Sequence, residues 1–194
     1  MALYVSKAEA ARRQIDAAVR MLFTAEDFLA VHTVVSAALG LVRDLADKRG
    51  IGFKSELRTA LGQVVRSSRG LDLDSEAGKD LLDRIFNQTF PKALQEKNKA
   101  ANFLKHADRN PREFLFESTL ETEFHLAEAC HYFSSLGFEL TPEMIAFLFW
   151  WHRKTPKDDS EALHTSMGAL HLLDRDAQLV VGTALLEFFR RKQA

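Results

Sequence analysis

Apolar residues recur along this 194-residue chain at three- and four-residue intervals, the period of a helix packed on one side. From Val5 to Phe23 they are interspersed with alanine, arginine and glutamine, which predicts a first helix. A second is predicted from about Ala25 to Lys48, with Thr24 as its N-cap, Glu26 and Asp27 in its first turn, and a stop before Gly50. Phe28, Val31, Val35, Leu39 and Val42 form its apolar stripe. Thr33, Ala37 and Gly40 form a stripe of small residues that should admit a close neighbour. Lys54 to Val65 reads as a short helix and "SSRGLDLD" as a loop. Asp74 or Ser75 is placed to cap a helix through Asn87. Pro91 suits the first turn of the next, Pro91 to Ala107. Asn110-Pro111 ends that helix, and another runs from about Arg112 to Leu136, closed by Gly137. "ELTPEM" is a helix start, with Thr141 as N-cap and Pro142 first inside; this helix carries Trp150-Trp151 and ends before Pro156. Ser160 to Leu173 and Asp174 to Lys192 complete the chain. No run keeps a two-residue alternation, so the expected class is all-α, a bundle of six to eight helices.

Composition sharpens this picture at a few points. The chain is 46% apolar and 27% charged, which fits one folded domain over residues 1–194 with a full core. A net charge of −1 excludes a global attraction for polyanions. That average hides an asymmetry. Arg43 to Arg69 holds seven Lys or Arg against three acids, whereas Glu113 to His152 contains no Lys or Arg. Cys130 is the only cysteine, which excludes disulfides and cysteine-based zinc sites and suggests a buried small hydrophobe. Met1 to Glu9 lacks the apolar core of a signal peptide, and the run Met144 to Trp151 is too short to cross a bilayer, so a cytoplasmic protein with no membrane partner is expected. The aromatic run Phe147 to Trp151 exceeds one narrow stripe and is expected to serve the core plus a dimer or partner surface.

Two polar constellations carry candidate chemistry. In "NKAANFLKHADRNPREF", Lys99, Asn102 and His106 share a helix face with Gln95, opposite Ala93, Ala100, Leu104 and Ala107. A cation, an amide and a titratable ring on one stripe can bind a phosphate and move a proton. The competing reading is a solvated face whose histidine caps the last carbonyls. Together with "LFTAEDFLAVHTVVSAALGLVRDL", this stretch resembles a family of small bacterial all-helical proteins. More distantly it is similar to HEPN domains, helical nucleotide-binding and ribonuclease modules. Their motif is an arginine, a polar residue, four to six further residues and a histidine near a helix end. The chain has Lys99 in the arginine's place, Ala100 next to it, and His106 as the histidine. The resemblance covers residues 5–112 and implies a HEPN-like core over 1–112, with additional helices over 113–194. It also implies a homodimer and a metal-independent ribonuclease without cofactor. His106 would be its acid or base and Asn102 a hydrogen-bond donor, with Lys99, Lys105 and Arg109 holding the phosphates of RNA or a nucleotide.

The second constellation is "ESTLETEFHLAEACHYF". Glu117, Glu121 and Glu128 fall within about 40° of one another on a helical wheel, flanked by His125 and His131. Glu121, His125 and Glu128 have the spacing of a metal site in a helical bundle. Against this, the preferred reading of the set is the one wet stripe of an otherwise buried helix. His32, at the border of the second helix's apolar stripe, reads as a satisfied core histidine; His164 and His171, seven apart, lack zinc spacing. Three readings therefore stand: a HEPN-like protein acting on RNA or a nucleotide, a non-catalytic helical interaction protein, and a carboxylate–histidine metal site on the 113–136 helix.

Overall fold

A computed structural model of the chain describes residues 4–69, 75–105, 120–154 and 170–193. Among these the chain is helical throughout, with no strand, which matches the expected all-α class. The helices are α1 (Lys7–Phe23), α2 (Phe28–Lys48), α3 (Phe53–Arg69), α4 (Glu76–Lys97), α5 (Lys99–Lys105), α6 (Leu120–Ser135), α7 (Pro142–Lys154) and α8 (Arg175–Gln193), with a 3-10 turn at Leu170–Leu172.

The helix ends follow from capping chemistry, with two corrections and a longer α3, which runs to Arg69 through the Ser67–Arg69 stretch expected as loop. Thr24 does not start α2; it closes α1, its N–H and hydroxyl both donating to the Arg20 carbonyl at 3.0 and 2.9 Å. Asp27 caps α2 instead, accepting from the Ala30 N–H at 3.1 Å. Two good capping residues three positions apart cannot be ranked by type alone. The second correction is at Pro91, which lies inside α4 and not at the start of a helix. Pro91 and Asn87 are both exposed. Water can therefore serve the carbonyl that the missing N–H would have bonded. The break falls at Asn98, whose side-chain oxygen accepts from Arg43 at 3.0 Å. Gly50 (φ 70°) and Gly137 (φ 81°) end α2 and α6 in the left-handed region. In each case the next residue's N–H reaches back five positions, Ile51 to Ala46 and Phe138 to Phe133. Thr141 caps α7 as expected, accepting from the Met144 N–H at 3.2 Å.

The chain divides into two compact units, residues 1–42 with 117–194, and residues 43–116. In the first, α7 packs along α8, and α1 packs against α6, α7 and α8. Ile15, Val19, Leu126, Tyr132, Met144, Phe147 and Trp150 are fully buried there. Each such side chain contributes about 1.5–3 kcal/mol on burial. Trp150 donates its indole N–H to the Gln178 carbonyl at 2.7 Å and meets Phe23 edge to face at 5.6 Å. Gly182 permits this packing, because a Cβ there would lie 2.3 Å from the Phe23 ring. Both tryptophans belong to the core, which is the first of the two roles expected of this aromatic run. Val31, Val35, Leu39 and Val42 of α2 are buried as predicted. The small-residue stripe is not a packing face: Thr33 and Gly40 are exposed, and a Cβ on Gly40 would meet nothing within 4 Å. By length and mean hydropathy, 1.5 over its most apolar stretch, α2 is also the one described helix capable of crossing a membrane; 44% of that stretch is buried within the protein.

In the second unit α3 packs on α4 through Phe53, Phe86 and Phe90, the last two stacked at 5.2 Å. Arg58 lies over the Phe86 ring and pairs with Asp83.

Candidate metal centre

Glu121 and His125 are one turn apart on α6 and therefore project from the same face. His32 of α2 meets them. One donor atom from each of the three lies within 4.8 Å of the other two. His32 is fully buried, His125 is buried and Glu121 is half-buried. The two imidazole rings are 5.4 Å apart and tilted by 43°. All three residues belong to the first compact unit.

The surroundings set the orientation of this cluster. The hydroxyl of Thr122, fully buried beside Glu121, is 2.8 Å from His32 Nδ1. Phe28, one turn before His32 on α2, packs its ring 6.2 Å from the imidazole. Burial pushes the His32 pKa down, which keeps the ring in the neutral form that ligates metals. On the far side of α6, Glu123 is fully buried and receives Lys154 of α7 at 2.7 Å and Arg175 of α8. Both cations also lie over the Trp150 ring, at 4.9 and 5.6 Å. Rotating α6 about its axis would pull this buried pair apart. The clamp therefore fixes the direction in which Glu121 and His125 point.

Two imidazoles and a carboxylate form a donor set suited to a divalent first-row transition metal. Coordination at about 2.0–2.2 Å draws the three donors closer than the 4.8 Å spread, a side-chain adjustment. Calcium and magnesium take all-oxygen shells and do not match it. Three protein ligands leave room for water or a small ligand, so an ion held here can polarise an oxygen or lower the pKa of a bound water.

The predicted residues distribute unevenly over the structure. Glu121 and His125 of the α6 constellation join the cluster. Glu128 is half-buried on the same helix but not part of it, and Glu117 lies outside the described residues. His32, read as a satisfied core histidine, supplies the third donor. One signal for it was present: an imidazole among the buried valines of α2 needs a partner from elsewhere in the chain. Of the other stripe, Lys99 and Asn102 are exposed on α5 and Lys105 is that helix's last residue, while His106 and Arg109 lie outside the described residues. His164 does also. Cys130 is fully buried and burial pushes its thiol pKa far up, so it is the packed hydrophobe expected and not a ligand.

No family model matches the chain, and neither the curated proteins nor the solved structures provide a match.

Proposed function

We propose that the protein binds a divalent first-row transition-metal ion, of the Zn²⁺ or Fe²⁺ class, through His32, Glu121 and His125. The observation that carries this reading is the convergence, within 4.8 Å, of one buried imidazole from α2 with a buried imidazole and a carboxylate from α6. A solvated carboxylate face would not bring a second, wholly buried histidine to it. The ion would fasten α2 to α6 and keep a position open for water or a small ligand. Metal analysis of protein purified without a histidine tag is expected to give about one equivalent per chain. His125→Ala and Glu121→Ala are expected to weaken binding by more than the ~10–100-fold typical of an outer-shell partner. A chain that binds no transition metal after supplementation ends this reading.

A second reading keeps the α5 stripe as a site for RNA or a nucleotide in a cytoplasmic homodimer. The exposure of Lys99 and Asn102 favours it, since a polyanion has to reach them. On this reading RNA cleavage persists in EDTA and is lost in His106→Ala. Cleavage that requires added metal, or none at all, excludes it.

A further inference from the structure

We infer that Thr122 is a positioning residue of the metal centre: its hydroxyl accepts the Nδ1–H of His32 and so presents Nε2 as the coordinating nitrogen. This rests on the metal reading above and adds to it the tautomer of one ligand and the residue that sets it.

Thr122 is fully buried, and its hydroxyl is 2.8 Å from His32 Nδ1, a contact between residues 90 apart in sequence. An imidazole has two nitrogens, and the one engaged by a hydrogen bond determines which remains to ligate. With Nδ1 committed to Thr122, coordination must use Nε2. Coordination through Nε2 in turn requires the proton on Nδ1, so the threonine oxygen acts as acceptor. A hydroxyl oxygen carries two lone pairs beside a proton that turns about its own bond, so one lone pair can face the Nδ1–H.

Thr122 is also next to Glu121 and three residues before His125 on α6. One helix therefore carries two ligands and the group that orients the third. The Glu123 clamp to Lys154 and Arg175 holds the same turn of α6 in place. Phe28 limits the imidazole from its own helix. The ring is thus steered at one polar point and packed against an apolar one, so loss of the hydroxyl frees its rotation and its tautomer without removing a ligand.

The test compares Thr122→Val with Thr122→Ser in the full chain. Valine keeps the β-branched shape and removes the hydroxyl; serine keeps the hydroxyl. Zn²⁺ affinity is measured by competition with a chromophoric chelator, and the His32 tautomer by ¹⁵N NMR of the imidazole in the metal-free protein. Thr122→Val is expected to weaken Zn²⁺ binding by about 10–100-fold, and Thr122→Ser to recover most of it. In the wild type, Nδ1 is expected to carry the proton. Wild-type affinity in Thr122→Val, alongside a metal-binding wild type and a non-binding His125→Ala, overturns this inference and leaves the metal site standing. A proton on Nε2 in the metal-free wild type overturns it even if the valine variant does not fold. Absence of Zn²⁺ binding by the wild type removes the site itself, and the inference with it.

Discussion

Glu121 and Glu123 lie two residues apart on α6, and different groups close around them. Glu123 is fully buried between Lys154 and Arg175, which answer its charge from within the protein. Glu121 is half-buried and sits with the imidazoles of His32 and His125, which together with it offer electron pairs to a cation from outside. The same side chain is thus an internal clamp in one setting and a candidate ligand in the other. A carboxylate's role is set by what its neighbours carry, and neighbours on other helices cannot be read from α6 alone.

Removing the platform under the clamp should have the largest effect. Trp150→Ala empties a fully buried site, deletes the bond to the Gln178 carbonyl and strips the ring from under both cations. It should lower the unfolding free energy by about 3–5 kcal/mol, measured by urea denaturation. A loss below about 1 kcal/mol would mean Trp150 is not core. Glu123→Ala should come next, at about 3 kcal/mol, because it leaves two partly buried cations without their carboxylate. Glu121→Ala in the metal-free protein should cost less than about 1 kcal/mol. Equal losses at the two positions would erase the distinction between clamp and ligand.

A third buried carboxyl sharpens the contrast through pH. Burial raises the Asp16 pKa, partly offset by the Thr141 hydroxyl that donates to it at 2.6 Å. The folded state therefore holds this proton more tightly than the unfolded chain. Its stabilising share is complete below the ordinary aspartate pKa of about 3.9 and fades as pH rises through the raised folded value. Glu9, drawn down to about 2 by Arg12 and Arg13, and Glu143, kept low by Arg190 and Arg20 against its burial, act oppositely and lose stability in acid. Asp16→Asn should remove the Asp16 share, so its stability relative to wild type improves as pH rises from about 4 through the raised folded value and then levels off. A constant difference across that range would show that Asp16 does not titrate between the states. The smallest effect is expected at Gly40, where a Cβ meets nothing within 4 Å. Gly40→Ala should stabilise by about 0.5–1 kcal/mol through helix propensity. Destabilisation would mean a neighbour packs there after all.

Much of the fold was legible because it is local. The valine stripe of α2, the Thr141–Pro142 start of α7 and the Gly50 and Gly137 stops depend on residues within a turn of one another. Thr24 and Pro91 misled for an equally physical reason: each residue type tolerates two helix positions, and the choice rests on neighbouring backbone and solvent. Two of the three residues of the metal cluster were visible as the Glu121–His125 spacing on α6. His32 was not, since the contact that brings it there spans some 90 residues, as its bond to Thr122 does. The buried character of Glu123 was hidden for the same reason; its partners are 31 and 52 residues away.

The most direct test of the central claim is X-ray absorption spectroscopy of the untagged, Zn²⁺-loaded protein. Two imidazole ligands and one or more oxygen ligands at about 2.0–2.1 Å are expected, with no sulfur scatterer, and loss of one imidazole in His32→Ala. A shell with no ordered imidazole, or one unchanged by His32→Ala, would contradict it.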